Sequence, residues 1–266
     1  MKKKLVFYFY ANPQNINCEI NKTHFACLRE YIGIFDECLF VISVDDINNF
    51  ELIKKVEKKF LDINKNGNIT FKVHQNNEFR ESSAFKKEVA DKLGEDKLVF
   101  FGHNKGTTNT DYDKSVIQAW VNGMYFYSLN FINEVLDYLL NKQYFSYGSF
   151  LAKEDGYHYF VSKYNWAYIG TFFWINSGKI LNFIKSHNIE IPNLADRFYA
   201  EDFLSNLYDI WPLSTAASHK NRYLTLANDF YKYAKKYIDV CHPEHQDFDE
   251  FNKHIIETIK NEKDLV

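Results

Sequence analysis

Apolar runs alternate with amphipathic segments over roughly the first 105 residues of the chain. Short segments rich in apolar residues and bounded by turn residues predict four strands, and the second is a continuous apolar run of the type that is typical of buried parallel strands. Their ranges are 5–10, 37–44, 69–73 and 98–101. Helices are predicted between them, over residues 23–32, from Phe50 to Leu61 and over residues 81–93, from apolar positions at helical spacing. This strand–helix alternation predicts an α/β fold with a Rossmann-type sheet.

The second half of the chain has a different pattern. Residues 113–142 are predicted to be largely helical, strands are expected at 157–161 and 168–175, and helices after Gly178 and over residues 199–208. The tail, 217–266, is polar and helical in pattern, with three apolar residues on one face: Phe251, Ile255 and Ile259. We therefore expect one domain over residues 1–215, with halves 1–110 and 111–215, and a helical extension over residues 216–266.

Composition narrows the class of protein. The chain has 266 residues, of which 46% are hydrophobic, enough for one large α/β domain. Its net charge is −3 and no basic stripe is present, so nucleic acid is not expected as a partner. Four cysteines fit neither zinc spacing nor a dense disulfide framework, which favours reduced thiols in the cytoplasm. The apolar run after Lys4 is interpreted as a first strand, and no stretch is long enough to span a bilayer.

The strand at 98–101 ends abruptly at polar residues, His103 and Lys105. Ligands bind at the carboxyl ends of parallel strands in α/β folds, so these side chains are candidate ligand contacts. A lysine can neutralise a phosphate, and a histidine can donate to a phosphate oxygen or ligate a metal. The alternative is a polar turn that binds nothing.

A second candidate follows the third strand, where Asn77, Arg80 and Glu81 open a helix. A helix N-terminus favours anions, and Arg80 can hold a phosphate through two hydrogen bonds. The alternative is a capping arrangement in which an asparagine caps the helix and Glu81 complements its dipole.

Two further segments carry candidate chemistry. The apolar run at 170–176 includes Trp174, which can stack on a sugar, and Asn176, which can offer an amide; the alternative is an ordinary core strand. Glu201 and Asp202 begin a predicted helix. Either carboxylate can act as a general base in a cleft, or the pair can simply complement the helix dipole.

Two further segments resemble metal-binding motifs, but the sequence favours a structural role for each. Asp111 and Asp113 form a D-x-D pattern, but it lies several residues beyond the strand end, and Asp113 can equally cap the next helix. Cys241, His242 and His245 lie close together without a second ligand pair at zinc spacing, so a polar loop is favoured there.

Taken together, these segments resemble a group of bacterial GT-A-type glycosyltransferases found in capsule and lipooligosaccharide gene clusters. The group has a strand ending in His-Thr-Lys-Gly, an aromatic Gly-x-Phe-x-Trp strand and an acidic residue that opens a late helix. The matching positions, spread over most of residues 5–210, are Asn77, Glu81, Phe85, His103, Lys105, Gly106, Trp120, Gly170, Phe172, Trp174 and Glu201. Asn104 replaces the usual threonine and Thr171 replaces an asparagine, so the acceptor cannot be inferred from the resemblance.

The resemblance implies a GT-A-like fold that binds a nucleotide-sugar donor over the first half of the chain, with UDP or GDP as the favoured nucleotide. Among the matching positions, Asn77, Glu81, His103 and Lys105 are expected to contact the donor, and Arg80 is expected to hold a phosphate. Tyr10 and Asp45 are expected to contact the base and ribose, because they lie at the ends of the first two strands. Trp174 and Asn176 would line the acceptor side. No residue is assigned to a metal, because a lysine cation can replace part of a metal's charge on the leaving diphosphate. Dependence on a divalent metal stays open.

The implied reaction is transfer of a sugar to a hydroxyl of a growing cell-surface glycan, capsule or lipooligosaccharide. Glu201 or Asp202 would remove the hydroxyl proton, which favours inversion and leaves retention open. The alternatives are transfer of a phosphate-containing group from a nucleotide and a non-catalytic scaffold for polysaccharide assembly. The expected location is the cytoplasm, with peripheral contact at the inner membrane and the oligomeric state both left open.

Overall fold

Helices cover both faces of a mixed β-sheet. The computed structural model describes residues 4–13, 18–64, 68–94, 97–104, 107, 114–142, 144–153, 166–168, 171–191, 193–194, 199–207, 213–218 and 248–261. The strands are β1 (Lys4–Ala11), β2 (Glu37–Val44), β3 (Ile69–Gln75), β4 (Lys97–His103), β5 (Ser146–Lys153), β6 (Trp166–Tyr168), β7 (Phe173–Asn176) and β8 (Leu213–Ser218). The helices are α1 (Glu19–Tyr31), α2 (Phe50–Ile63), α3 (Glu81–Glu88), α4 (Lys114–Leu129), α5 (Ile132–Asn141), α6 (Ser177–Ser186), α7 (Tyr199–Leu207) and α8 (Phe248–Asn261).

The strand order among the described residues is β3-β2-β1-β4-β7-β5-β6, and β8 pairs with β5. The first four strands run parallel, whereas β7 is antiparallel to β4. Helices return the chain between the parallel strands, as such connections require. This arrangement confirms the predicted α/β class, a Rossmann-type mixed sheet flanked by helices.

The central strand β1 is buried on both faces, which explains its continuous apolar sequence. Phe7 and Phe9 belong to the core beneath α1, α2, α4 and α8, while Tyr8 and Tyr10 belong to the core beneath α3, α6 and α7. Side chains alternate between faces along a strand, so each neighbouring strand contributes to both cores. The sheet therefore divides the molecule into two apolar layers.

The strand predicted at 168–175 is interrupted. β6 ends at Tyr168 and β7 begins at Phe173, and both pair antiparallel with β5. Between them, Thr171 has a φ of 59°, and its N–H donates to the Tyr168 carbonyl over 3.3 Å. A left-handed residue cannot continue a strand, so the prediction of one uninterrupted strand was wrong.

Two strands have no clear apolar pattern and were not predicted. β5 contains Gly148, where a Cβ would lie 2.2 Å from the Tyr168 ring, so glycine is what lets that ring pack against the strand. β8 consists mainly of small residues and is held by parallel pairing with β5. Residues 217 and 218 belong to β8 and not to the helical tail expected there. The strand expected at 157–161 lies outside the described residues.

The predicted apolar face of the tail is confirmed in α8. Ile255 is fully buried, and the Phe251 ring lies 5.8 Å from that of Tyr31 and 5.2 Å from that of Phe126, between centroids. The helix therefore packs on α1 and α4, on the face of the sheet opposite α3. The division of the chain at residue 215 stays a prediction.

Candidate functional site

Polar residues stand at the ends of four neighbouring strands, along one edge of the sheet. Tyr10, Asp45, Asn76 and His103 lie at or just after the carboxyl ends of β1, β2, β3 and β4. Because these strands are parallel and adjacent, their carboxyl ends share the edge at which α/β proteins bind ligands. The predicted contacts Tyr10, Asp45 and His103 are thus brought to one edge.

Asn76 connects three of these strands through its side chain. Its Oδ1 accepts hydrogen bonds from the Tyr10 hydroxyl at 3.1 Å and from Ser43 Oγ at 2.8 Å. Its Nδ2 donates to Asp45 Oδ1 at 2.9 Å, and its backbone N–H donates to the Val44 carbonyl. The Asp45 carboxylate is therefore held in place by an amide that is itself fixed by β1 and β2.

The Tyr10 hydroxyl stays protonated in this environment. Its pKa is raised above the ordinary value, first because burial disfavours the phenolate, and the Ser43 hydrogen bond opposes this shift. The nearby carboxylates of Glu81 and Asp45 raise the pKa further, while the Arg80 guanidinium lowers it. Tyr10 is thus a donor, and the charges of Arg80 and Glu81 act at the same edge.

Asn104 stands where the resembling glycosyltransferases usually have threonine, and its side chain links several backbone segments. Its Oδ1 accepts from the Asn12 N–H at 3.0 Å, and its Nδ2 donates to the Asn12 carbonyl at 2.7 Å and to Asn21 Oδ1 at 3.3 Å. Its own backbone N–H donates to the Tyr10 carbonyl, and its carbonyl accepts from Thr107 Oγ1. One amide therefore fixes the end of β1 against β4 and α1.

His103, at the end of β4, is largely buried. Its side chain is 6% exposed, its ring centroid lies 6.2 Å from that of Phe172, and its backbone is paired in register with Tyr10. Lys105, predicted to accompany it, lies outside the described residues, as do Gly106, Asp111, Asp113, Cys241, His242 and His245. Among the residues that are described, no cluster of three histidine, cysteine or carboxylate groups could hold a metal ion.

The segment before α3 forms a turn and not a simple helix cap. Asn77 Oδ1 accepts from the Phe79 N–H at 3.0 Å, and the Asn77 carbonyl accepts from the Arg80 N–H. Arg80 then adopts a φ of 48° and a ψ of −127°, and its side chain makes no capping hydrogen bond to the helix. This exposed arginine is held in a backbone conformation that favours glycine.

Replacing Arg80 with glycine is expected to stabilise the fold relative to Arg80→Ala by about 1 kcal/mol, because only glycine adopts this conformation without strain. Chemical denaturation of the three proteins measures the difference. Equal stability of the two variants would contradict the strain. If Arg80 contacts the donor, both variants also bind nucleotide more weakly than the natural protein does.

Trp174 and Asn176 do not lie at this edge, which corrects their predicted role as acceptor contacts. Trp174 is fully buried, and its Nε1–H donates to the Ser128 carbonyl at 2.8 Å. Asn176 is also fully buried; its Nδ2 donates to the Leu139 carbonyl, and its Oδ1 accepts from the Lys179 N–H and caps α6. Both side chains are enclosed and occupied by the core.

Glu201 and Asp202 lie in the first turn of α7, and their side chains are outside the described part of the molecule. The start of α7 is anchored beside the start of α3, because the Ala200 N–H donates to Ser82 Oγ at 3.0 Å. The rings of Phe203 and Phe85 pack edge-to-face at 5.4 Å. The first turn of α7 is therefore placed next to Arg80 and Glu81.

Asn76, Ser43 and Asn12 were not selected as site residues from the sequence. Asn76 and Asn12 each follow directly after a strand, and that position was the available signal. The convergence of Asn76 with Ser43 depends on the pairing of β2 with β3, which a single sequence does not reveal.

Replacing Asn76 with alanine is expected to lower the free energy of unfolding by roughly 2 kcal/mol, since it removes the acceptor of the buried Tyr10 and Ser43 hydroxyls. Asn77→Ala is the matched control, because that exposed side chain bonds to the Phe79 N–H of its own turn and to Ser83 Oγ in α3, and the loss should be about 1 kcal/mol or less. A double-mutant cycle with Tyr10→Phe measures the coupling. Strict additivity would show that the network is not energetically linked.

The chain was compared with protein families, curated proteins and solved structures. No protein-family model and no curated protein matches it. A crystal structure of 4-diphosphocytidyl-2C-methyl-D-erythritol synthase is 11% identical, with a TM-score of 0.40 over 88% of this chain and 99% of that chain. S. aureus TarS 1–349 in complex with UDP-GlcNAc is 12% identical, with a TM-score of 0.34 over 95% of this chain and 71% of that chain. Sequence identities and TM-scores this low do not indicate which reaction this chain catalyses.

No helix in the described ranges has both the length and the apolar character needed to cross a membrane.

Proposed function

We propose that this protein is a glycosyltransferase that transfers a sugar from a nucleotide-sugar donor to a hydroxyl of a cell-surface glycan. The observation that supports this proposal is the convergence of polar side chains from β1, β2 and β3 at one edge of a parallel sheet, where His103 also ends β4. That edge is where α/β enzymes bind nucleotides.

The roles at this edge follow from chemistry. Asp45, fixed by Asn76, can accept hydrogen bonds from ribose hydroxyls, and Tyr10 lies beside it. Asn77 and Glu81 border the same edge at the start of α3, where a helix N-terminus favours anions. Arg80, His103 and Lys105 are assigned to the diphosphate, because cations and N–H donors stabilise the negative charge that develops on the leaving group.

The acceptor hydroxyl requires a base. Glu201 or Asp202 is assigned to remove its proton as the oxygen attacks the anomeric carbon and the nucleoside diphosphate leaves. Direct attack from the opposite face gives inversion, and NMR of the product anomer decides this point. UDP and GDP are the first nucleotides to test. The acceptor is assigned to capsule or lipooligosaccharide, and the site of action to the cytoplasm at the inner membrane face.

Nucleotide binding is the direct test of the proposal. UDP, GDP and CMP are added in thermal unfolding, and one of them is expected to stabilise the protein by about 2.7 kcal/mol at 100 times its Kd. Lys105→Ala should weaken this effect, while Lys114→Ala, an exposed lysine at the start of α4, serves as the control. No shift with any nucleotide would overturn the proposal in favour of a non-catalytic scaffold.

A panel of nucleotide sugars then tests the reaction itself. Slow hydrolysis of one donor, with release of the free sugar, is the expected result. Release of a sugar phosphate or a nucleoside monophosphate would instead favour transfer of a phosphate-containing group. Repeating the assay with EDTA decides whether a divalent metal takes part, because activity that survives EDTA favours charge stabilisation by lysine.

A further inference from the structure

β3 is an edge strand, and its outer side carries backbone groups that face away from the sheet. Within the described residues, β3 pairs only with β2. The Cys38 N–H donates to the Asn68 carbonyl and the Asn76 N–H donates to the Val44 carbonyl, so the even-numbered residues of β3 turn their backbone groups toward β2. The N–H and C=O groups of residues 69, 71, 73 and 75 therefore point outward. Such a row of groups is a template for pairing with another strand.

Apolar side chains border this open edge on one face of the sheet. The Phe71 ring lies 6.1 Å from that of Phe40 and 6.4 Å from that of Phe60, between centroids, so it is on the α2 face. Because side chains alternate along a strand, Ile69 and Val73 lie on the same face. Val73 is 43% exposed, and no residue of β3 is buried. The core therefore covers this apolar row only in part.

Helix α2 adds Leu61 to the same border. The Lys59 Nζ lies 5.9 Å from the centroid of the Phe25 ring in α1, so this lysine faces α1. Leu61, which is 49% exposed, follows two residues later, roughly 200° around the helix. It therefore faces away from α1. Since α1 packs on Phe9 of β1 and α2 packs on β2 and β3, the side away from α1 is the outer side of β3.

The sequence of β3 is self-complementary in one antiparallel register. A two-fold axis at Phe71 sets this residue opposite the partner's Phe71 and sets Ile69 opposite the partner's Val73, with about six backbone hydrogen bonds. The same register places Lys72 opposite the partner's Thr70. An axis at Lys72 would instead bring two lysines face to face, which is destabilising. The axis at Phe71 is therefore favoured.

The position of α2 fits this pairing. The helix packs on both β2 and β3, so its axis lies between them. With neighbouring strands about 4.8 Å apart, α2 and its copy would lie about 10 Å from each other, which is a normal packing distance for helices. On the other face, α3 lies over the middle of the sheet, because its Phe85 packs on Phe101 of β4 and Phe173 of β7.

We propose that the outer edge of β3 is a dimer interface that binds a second copy of this chain. The two sheets join antiparallel across a two-fold axis at Phe71, and Val73 and Leu61 of both copies become buried. This interface is separate from the carboxyl edge and does not depend on the proposed function.

Sedimentation velocity of the full chain at about 1 to 100 μM tests the proposal, because interfaces of modest size bind in this range. The natural protein should pass from monomer to dimer. Val73→Lys should weaken the dimer about 10²-fold, since it puts a charge at two related positions in the interface. Leu140→Lys is the matched control, because it alters a similarly exposed side chain on α5 and should leave the dimer unchanged. A monomer at every concentration, or a dimer that Val73→Lys does not weaken, would overturn the proposal.

Cysteine cross-linking tests the register and does not require the lysine variant to fold. In a chain carrying both Ile69→Cys and Val73→Cys, each new thiol faces the other kind in the partner. Their Cα atoms are then about 5.5 Å apart, within the range of a disulfide. Air oxidation should link two copies of this double variant. Each single variant should link no more than the natural protein, whose four cysteines set the background. Equal linkage in the single and double variants would contradict the pairing through β3.

Discussion

Trp174→Ala should lower the free energy of unfolding by about 3–5 kcal/mol. The side chain is fully buried, and its ring lies 5.5 Å from the ring of Phe35 and 5.1 Å from that of Phe100, between centroids. Truncation removes these contacts, leaves a cavity and deprives the Ser128 carbonyl of the indole donor. Denaturant titration monitored by circular dichroism measures the loss.

Two controls separate packing from other effects. Trp174→Phe keeps an aromatic ring and removes the indole N–H, so a smaller loss of about 1–2 kcal/mol is expected. Phe50→Ala removes an aromatic side chain that is 64% exposed and should change stability by less than about 0.5 kcal/mol. If Trp174→Ala were as stable as the natural protein and had lost only acceptor binding, the core assignment of Trp174 would be refuted.

β1, β2 and β4 could be predicted because they are buried parallel strands, whereas β3 has no buried residue and shows only alternate apolar positions, at Ile69, Phe71 and Val73. β2 has the same bounds in the prediction and in the structure, since its apolar run begins after Phe35 and Asp36 and ends at Asp45. Burial on both faces imposes a continuous apolar run, and the loops at both ends supply polar residues. β5 and β8 lack that signal, because pairing with neighbouring strands and not local sequence forms them.

Candidate site residues could be located from the sequence only where they stand at the end of a predicted strand, because parallel strands all end at the same edge of the sheet. Tyr10, Asp45 and His103 were predicted to lie at strand ends, and the structure places each of them at or next to one. Trp174 was misplaced because an aromatic residue in a strand has the same pattern whether it packs in the core or faces a ligand. Asn176 was misplaced for a related reason, since an amide that caps a buried helix cannot be distinguished in sequence from one that binds a sugar.

The network around Asn76 shows what a single sequence does not contain. Tyr10, Ser43 and Asn76 are separated by more than 30 residues along the chain and meet through the order β3-β2-β1. Strand order follows from how the helices cross over the sheet, and many orders fit the same alternating pattern. The structure thus adds the support that fixes Asp45, whereas the sequence indicates only the carboxylate.

In the proposed reaction, Glu201→Gln should reduce sugar transfer by about 10²–10⁴-fold, the contribution typical of a general base. The substitution preserves the size of the side chain and removes its ability to accept a proton. The hydrogen bond between Ala200 and Ser82 holds position 201 next to the start of α3, beside the proposed donor site. The backbone of α7 should be undisturbed by the change. Single-turnover kinetics with the identified donor and acceptor measure the effect.

Asp202→Asn distinguishes the two adjacent carboxylates, because only the base should produce this loss while nucleotide binding by both variants stays at the natural level. Glu190→Gln alters an exposed carboxylate after α6 and should leave turnover unchanged. If both Glu201→Gln and Asp202→Asn turned over at the natural rate, neither residue would be the base. A carboxylate elsewhere along the donor edge, such as Glu81 at the start of α3, would then be the next to test.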